Sequence, residues 1–483
     1  MKKISIKLFF ALTIISTTFS CTNDFEKANE DPNLITEINS GSVLNPVIYD
    51  LAENNVLKNY DITAQLMQVH FPYPSNAMGL HRYDVTNGTG NSTWNNAYKN
   101  LVNLEEMLKV SQKAGDVNYE AIALTLRSLV ISNLTDMFGD VPFSEAAKAE
   151  EGITKPKFDR QEDIYNQLIN DLEQANQLYV TNLGLKYGSD ILFPSSEKNI
   201  NITRWKKFTN SLKMRLLLRI SNRDASALTE IKKMIDNPTT YPVFETESES
   251  AILQISGLAP SLSPWPREQD YRDSRTFTEF FVDKMNETND PRLPFLVNKA
   301  SNLDGSSLGY KGVPAAYEGN SSDFKFNPSS PNNAIVVAPM KIPLMTYAEV
   351  EFIKAEIAQK GLGGDAKTHY ENAVRAAVVL WTNSEPTTEF LEHEKIKYNN
   401  SLERIIEQKY FALFFTDYQQ WFEYKRTGFP TLPKTSTMLN DQKMPRRLLY
   451  PTSVRNYNPE GYQQAIQQMG ADDINTRVWW DVN

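Results

Sequence analysis

The stretch RWKKFTNSLKMRLLLRI, residues 204–220, places large apolar side chains three or four positions apart. An α-helix has 3.6 residues per turn, so residues at this spacing lie on one helical face. The face consists of Trp205, Phe208, Leu212, Leu216 and Ile220. Such a helix is stable in water only when a neighbouring element covers its apolar stripe. The stretch therefore predicts a helix that packs within a larger helical assembly.

Similar stripes recur along the chain and predict a mostly α-helical protein. We expect further helices over residues 91–114, 118–138, 160–178, 368–381 and 401–424. Asp159 with Glu162, and Thr346 with Glu349, have the spacing of N-terminal capping boxes. Gly361 follows the second of these helices and is typical of a helix end.

The helices are expected to form pairs joined by short turns, such as Gly115-Asp116. This arrangement favours a superhelix of helical hairpins with the architecture of tetratricopeptide repeats, although the sequence has no 34-residue period. Strand-like runs are few and cover residues 251–256 and 334–342. We treat residues 43–483 as a single domain.

The composition excludes several classes of protein and of site. The 483 residues include 50 basic and 59 acidic side chains, for a formal net charge of −9. An acidic chain without concentrated Lys and Arg disfavours nucleic acid as a partner. The single cysteine excludes an intramolecular disulfide and a Cys-rich metal site.

The N-terminus predicts export and lipidation. Residues 1–20 have a basic start, a short apolar stretch and small residues before the cut site, as in a secretory signal peptide. Cys21 follows directly and resembles the acylated cysteine of a bacterial lipobox. Residues 21–42 are then a lipidated cysteine and a polar, flexible tether. These features predict an exported lipoprotein. The acidic residues behind Cys21, Asp24, Glu26, Glu30 and Asp31, resemble a surface-export signal, which favours an outer-membrane position facing the cell surface.

Two loop-rich segments are candidates for the ligand-binding surface. Residues 257–343 are rich in Pro, Gly, Ser and Asn, and residues 71–93 have similar texture. Aromatic rings stack on the apolar faces of sugars, and Arg, Asn or Asp side chains pair with the hydroxyl groups. The ligand-binding candidates are Trp265, Arg267, Tyr271, Arg272, Tyr73, His81, Arg82, Tyr83 and Tyr317. Trp265, between Pro264 and Pro266, is either a platform for ligand or a plug against the scaffold.

A set of motifs in a fixed order resembles the SusD/RagB family of nutrient-binding outer-membrane lipoproteins, in the branch that ends in Trp-Trp-Asp. The motifs are Asp136-Met137-Phe138-Gly139-Asp140-Val141-Pro142, Pro156-Lys157-Phe158-Asp159, Arg204-Trp205-Lys206-Lys207-Phe208, Asp290-Pro291-Arg292-Leu293, Thr346-Tyr347-Ala348-Glu349-Val350, Glu407-Gln408-Lys409-Tyr410, Trp421-Phe422-Glu423-Tyr424-Lys425-Arg426-Thr427-Gly428 and Arg477-Val478-Trp479-Trp480-Asp481. The resemblance implies four tetratricopeptide-like helix pairs. It also implies a partner, a TonB-dependent, SusC-like β-barrel transporter that the lipoprotein covers as a lid.

The residues of these motifs have structural roles as their first interpretation. Trp205, Trp421, Trp479 and Trp480 are expected to anchor the core. The cations Arg404, Lys409, Lys425 and Arg426 are expected to be solvated or paired with acids such as Glu403, Glu407 and Glu423.

The predicted function is capture of an oligosaccharide, without catalysis, a cofactor or a metal. The sequence has no Gly-x-Ser-x-Gly elbow, no phosphate-binding loop and no His-x-x-x-His pair. A carboxylate-pair glycoside hydrolase stays open, because such a pair has no sequence spacing. A peptide ligand is the other alternative, since some relatives in the family resemble peptide binders.

Overall fold

The computed structural model describes residues 38–74, 79–319 and 321–482. The predicted signal peptide, Cys21 and most of the predicted tether lie outside these described residues. From Ser40 onward the chain forms one compact unit. Its first helix begins at Ser40, three residues before the predicted start of the domain.

Helices dominate the described residues, as the sequence predicts. They are α1 (Ser40–Lys58), α2 (Ala64–Leu66), α3 (Asn91–Ala114), α4 (Val117–Phe138), α5 (Gln161–Leu178), α6 (Lys198–Ile220), α7 (Ser226–Asp236), α8 (Glu268–Arg272), α9 (Glu279–Glu287), α10 (Leu293–Leu296), α11 (Tyr347–Gln359), α12 (Ala366–Thr382), α13 (Thr388–Leu391), α14 (Leu402–Ala412), α15 (Gln419–Thr427), α16 (Thr452–Tyr457) and α17 (Pro459–Met469). Consecutive long helices from α3 to α7 pack side by side, and α11 packs on α12 and α14.

The strands are short and form three small antiparallel sheets. They are β1 (His70–Pro72), β2 (Ala251–Ile255), β3 (Arg275–Phe277), β4 (Ala300–Asn302), β5 (Ser307–Gly309), β6 (Phe326–Asn327) and β7 (Met340–Met345). The strand β1 pairs with β3, β2 pairs with β7, and β4 lies between β5 and β6. The predicted strand at 334–342 therefore starts later, because residues Asn333–Val336 form a 3₁₀ turn.

Helix boundaries test the predicted caps. The Thr346 side chain accepts a hydrogen bond from the Glu349 backbone N–H, 3.2 Å away, which confirms the cap of α11. The cap predicted at Asp159 is wrong, because α5 has Arg160 as its N-cap and no side-chain cap. The Asp159 carboxylate instead accepts from the backbone N–H groups of Phe143 and Ser144, so it fixes the preceding loop.

The single helix predicted over residues 401–424 is broken. The helix α14 ends at Ala412, α15 begins at Gln419, and Phe415 has φ of 66° between them. The break leaves the backbone carbonyl oxygen of buried Asp417 without a helical partner. This oxygen accepts hydrogen bonds from the side chains of Asn59 and Thr63 at 2.9 Å each. A continuous helix would have used this carbonyl internally, so the tertiary contact replaces a local one.

The carboxylate of Asp136 is the centre of a buried polar network at the end of α4. It accepts hydrogen bonds from Tyr165 Oη at 2.7 Å, Trp480 Nε1 at 2.6 Å and Arg219 at 2.9 Å. The Trp480 side chain comes from the Trp-Trp-Asp motif and is fully buried. The network therefore joins residues that lie 344 positions apart in the chain.

Two of the other three motif tryptophans have the predicted role of core anchors. Trp205 and Trp421 are fully buried, with indole N–H groups that donate to the Asp190 carboxylate and the Pro445 carbonyl. Trp479 is partly exposed.

The apolar helix α4 has the length and hydropathy of a membrane span, but 94% of its most apolar window is buried inside the protein, so its composition reflects the core.

Lys409, Lys425 and Arg426 are buried, so of the two predicted alternatives solvation is wrong for these three cations, whereas pairing with an acid is confirmed for Lys409 and Arg426. Arg426 forms two hydrogen bonds with Glu356, at 2.7 and 2.6 Å, and contacts Glu423 at 2.7 Å. Lys409 lies 3.0 Å from the same Glu423 carboxylate, as the pairing alternative predicted. These ion pairs hold α11, α14 and α15 together.

Lys425 is the third of these buried cations and has no salt bridge to an acid in the described structure. Its ammonium group donates to the backbone carbonyls of Asp136 at 2.7 Å and Arg446 at 3.1 Å. It also lies 4.5 Å from the centre of the Trp421 ring. Burial lowers the pKa of Lys425 to about 7, because the charged form loses its hydration.

Candidate ligand-binding site

Strand pairing brings the two loop-rich segments together. His70 of β1 lies opposite Phe277 of β3, and Pro72 lies opposite Arg275. The backbone N–H of Tyr73 continues this pairing by donating to the Ser274 carbonyl at 2.9 Å. The segment that follows β1 therefore leaves the sheet beside the segment 257–343, although about 200 residues separate them in the chain.

Four partly exposed rings from these segments form what we call the aromatic cluster: Tyr73, Tyr317, Phe324 and Phe326. The Phe324 ring lies 4.8 Å from Tyr317, 5.5 Å from Phe326 and 6.5 Å from Tyr73, measured between ring centres. The Lys311 ammonium group lies 4.3 Å from the Phe326 ring centre, within the range of a cation–π contact. The cluster thus combines apolar ring faces with a cation at its edge.

Polar side chains surround the aromatic cluster. The Tyr317 hydroxyl donates to the carboxylate of exposed Asp323. Loss of hydration and this acidic neighbour raise the pKa of Tyr317 to about 12, so the hydroxyl stays protonated at neutral pH. The neighbouring Glu318 is exposed and forms a salt bridge of 2.5 Å with Arg82. Hydroxyl and carboxylate groups are therefore available beside the rings.

Buried contacts of Arg82 and His81 hold the two loop-rich segments in position. Arg82 is buried, and its Nε donates to the Thr437 carbonyl at 2.9 Å as well as pairing with Glu318. His81 lies 3.2 Å from the Tyr317 carbonyl through Nε2 and stacks on Phe71 at 4.7 Å. Burial lowers the pKa of His81 to about 4, so the ring is neutral at pH 7 and donates through Nε2.

Two of the ligand-binding candidates, Trp265 and Tyr271, lie in the interior. Trp265 is only 7% exposed, and Tyr271 is fully buried. The Trp265 ring lies 5.4 Å from Tyr60, 5.0 Å from Tyr271 and 6.2 Å from Phe415. Flanking prolines keep the backbone out of regular structure, but the ring still turns inward because these aromatic side chains surround it. Of the two alternatives for Trp265, the packing is that of a plug.

The remaining candidates divide between surface and interior. Arg267 is exposed and pairs with Asp270 at 2.6 Å, and the partly exposed Arg272 pairs with Asp273 at 2.6 Å. Tyr83 is buried, and burial raises its pKa to about 12. The structure therefore brings Tyr73, His81, Arg82 and Tyr317 to one place and puts Trp265, Tyr271 and Tyr83 in the interior.

Sequence reasoning missed Phe324 and Phe326, which lie at the centre and the edge of the aromatic cluster. The available signal was the alternation Phe324-Lys325-Phe326 within a stretch rich in Ser and Asn. In an extended chain, alternate residues point to the same side. Two rings on one side of an otherwise polar loop are a reasonable signature of a binding surface.

The described residues offer no group of three or more His, Cys, Asp and Glu side chains that could hold a metal ion. His70 is fully buried, and burial lowers its pKa well below the usual value. His369 pairs with Glu351 at 2.8 Å. What the site can do chemically is hold a ligand that has an apolar face and hydroxyl groups.

Comparison with known proteins identifies the family. The model of the SusD-like family described as "Starch-binding associating with outer membrane" matches residues 32–451. The chain belongs to this SusD-like family. A search of curated proteins finds no match.

Several solved structures share the fold. A chitin-binding protein is 24% identical, with a TM-score of 0.78 over 92% of this chain and 100% of its own. A SusD homolog from Bacteroides fragilis is 22% identical, with a TM-score of 0.78 over 92% of this chain and 99% of its own. A SusD homolog from Bacteroides vulgatus is 25% identical, with a TM-score of 0.75 over 89% and 93%. The SusD-like fold of helix pairs and loops is therefore common to all four.

Proposed function

We propose that this SusD-like protein captures a glycan at the cell surface and does not cleave it. The aromatic cluster is the observation that carries the proposal, because partly exposed rings flanked by hydroxyl and carboxylate groups match the two kinds of surface on a sugar. The family description names starch, and one similar structure is a chitin-binding protein. Both names support a glycan over a peptide as the ligand.

The expected affinity is modest. Three ring contacts of about 1 kcal/mol each, reduced by the cost of association, correspond to dissociation constants of roughly micromolar to millimolar. Weak capture suits a protein that must release its ligand to another component. We propose that this component is a TonB-dependent, SusC-like β-barrel transporter, which the resemblance to the SusD/RagB family implies.

Acylated Cys21 would keep the protein at the outer membrane beside this transporter. Two or three acyl chains anchor a protein stably, whereas a single chain does not. We expect the protein to co-purify with the transporter from mild detergent. Full nutrient uptake in a strain that lacks every TonB-dependent partner would refute the delivery step.

The test of glycan capture is Phe324→Ala. Because Phe324 lies 4.8 Å from Tyr317 and is partly exposed, its removal should weaken binding of maltohexaose or chitohexaose by about 1–3 kcal/mol, with little change in melting temperature. Phe295→Ala is the matched control, since Phe295 is an exposed ring (42%) outside the cluster. Calorimetric titration measures the affinity of each variant.

Two outcomes would contradict the proposal. If Phe324→Ala binds the oligosaccharides as tightly as the control does, the aromatic cluster is not the binding site. Incubation with glycan and peptide pools tests the class of activity: we expect glycan to be retained intact, whereas released products would indicate a hydrolase. Retention of peptides alone would favour the peptide alternative.

A further inference from the structure

A second concave surface lies where α16 packs beside the start of α3. We call it the α16 groove, and its volume is about 250 Å³. Its lining consists of Trp94, Tyr98, Pro142, Ala146, Ala147, Pro156, Phe158, Ser453, Val454, Tyr457 and Asn458. None of these residues belongs to the aromatic cluster, so the groove is a separate feature of the surface.

Tyr457 stands at the edge of the groove with 78% of its surface exposed. It is the most exposed large apolar side chain among the described residues. A ring that is exposed to this degree contributes little to the stability of the fold, and its face is available to a ligand. The wall of the groove adds further rings, from Trp94, Tyr98 and Phe158.

Trp94 supplies an unused hydrogen-bond donor. Its ring is 8% exposed and packs against Tyr98 at 5.0 Å and Phe138 at 5.2 Å. Its indole N–H makes no hydrogen bond within the described part of the chain. This indole nitrogen is accessible to solvent, unlike that of Trp381, which is buried without a partner. The donor of Trp94 is therefore available to a ligand in the groove.

Other polar groups of the groove accept or donate at its edge. The Tyr98 hydroxyl donates to the Pro142 carbonyl at 2.8 Å, which leaves its oxygen lone pairs for a ligand. The Ser453 hydroxyl is on an exposed residue beside Tyr457. The groove thus presents apolar ring faces together with a few hydrogen-bonding atoms.

The residues that line the α16 groove indicate which class of ligand it can bind. It contains no Asp, Glu, Lys, Arg or His, so it favours a neutral ligand over a charged one. A purely apolar ligand would leave the Trp94 N–H without a partner. A volume of about 250 Å³ is close to the lower end of small-molecule pockets, which are roughly 300–1,000 Å³, so the groove suits a small ligand. A neutral ligand with apolar ring faces and hydroxyl groups meets all three conditions.

We propose that the α16 groove is a second binding site for neutral glycan, in which Tyr457 stacks on a sugar ring and the Trp94 N–H donates to a sugar hydroxyl. The site shares its ligand class with the aromatic cluster but none of its residues. A polymeric glycan that engages both sites is held more tightly than either site holds it alone, because the second contact becomes intramolecular.

The experiment is calorimetric titration of the purified full chain with maltohexaose, chitohexaose and cellohexaose. We expect two sites on the wild-type protein and one site on the Tyr457→Ala variant. Trp94→Phe keeps a ring but removes the N–H, so it should lower the affinity of the groove for the oligosaccharide about tenfold. Phe295→Ala, an exposed ring in the short helix α10, is the matched control and should retain both sites.

The variants separate this site from the proposed function. Phe324→Ala acts on the aromatic cluster, so it should leave the groove intact, and the double variant Phe324→Ala, Tyr457→Ala should bind no probe. If Phe324→Ala leaves glycan binding unchanged while Tyr457→Ala removes a site, the proposed site in the α16 groove is supported and the proposed site at the aromatic cluster is refuted.

The second site is refuted if the wild-type protein has a single site or none for all three probes. It is also refuted if Tyr457→Ala retains two sites. Loss of a co-purifying protein in Tyr457→Ala, with glycan stoichiometry unchanged, would assign the groove to a protein segment and overturn the proposal.

Discussion

Replacement of Trp265 by alanine tests whether this ring is part of the fold or of the ligand site. Trp265 is 7% exposed and has aromatic neighbours at 5.0–6.2 Å, so the variant leaves a cavity between Tyr60, Tyr271 and Phe415. Tryptophan-to-alanine changes in cores cost about 3–5 kcal/mol of unfolding free energy. This range includes the lost burial and the lost ring contacts.

The size of the protein determines how far the melting temperature changes for a given loss of stability. At an unfolding entropy of about 2 cal/mol/K per residue, the ~440 residues of the compact unit give roughly 0.9 kcal/mol/K. A loss of 3–5 kcal/mol then lowers the melting temperature by about 3–6 °C. Scanning calorimetry measures the shift, and Trp265→Phe, which refills most of the cavity, should recover more than half of it.

Affinity completes the test. Below its melting temperature, Trp265→Ala should bind oligosaccharide as the wild type does, because the ring has no exposed face near the aromatic cluster. An unchanged melting temperature together with a loss of affinity would refute this interpretation and return Trp265 to the ligand site.

Three further predictions concern the anchor and the buried cations. Cys21→Ser should release the protein from the membrane fraction without changing its melting temperature, and retention in membranes without the transporter would contradict lipidation. Because the pKa of Lys425 is lowered to about 7, the unfolded state binds one more proton above that pH. Stability should therefore rise between pH 7 and 9 by up to about 1.4 kcal/mol per unit, and Lys425→Met should lose this slope in denaturant titrations at each pH. Arg426→Met leaves Glu356 and Glu423 buried with fewer partners and should cost about 3–5 kcal/mol; adding Glu356→Leu should restore part of it, and no restoration would contradict the ion-pair interpretation.

Local signals were sufficient to predict most of the helical scaffold. The helix predicted over residues 91–114 has those bounds in the structure, because its apolar spacing is regular and Gly115 follows with φ of 66°. The helix over residues 401–424 failed for the opposite reason. Its break depends on Asn59 and Thr63, which lie about 350 residues away and leave no trace in the local sequence.

The candidate site was harder to predict, because burial of a loop residue depends on its partners. Trp265 and Phe324 both lie in segments rich in Pro, Ser and Asn, and both contact rings from distant parts of the chain, yet only Trp265 is buried by these contacts. Pairing of β1 with β3 places Tyr73 beside Phe324, and the short strands involved give no clear periodicity. The sequence therefore located the two candidate segments but not which of their rings remain accessible.

The contact between Asp136 and Trp480 also bears on when the protein can fold. Its two halves are 344 residues apart, and Asp417 makes similar contacts with Asn59 and Thr63. At a synthesis rate of 5–20 residues per second, Trp480 leaves the ribosome roughly 20–70 s after Asp136. During this interval the Asp136 carboxylate has its Tyr165 and Arg219 donors but lacks Trp480, and contacts of such high sequence separation form slowly. The core around Asp136 is accordingly complete only when nearly the whole chain has been made. This order of events favours the export that the N-terminus predicts, because a chain with an incomplete core is easier to thread across a membrane.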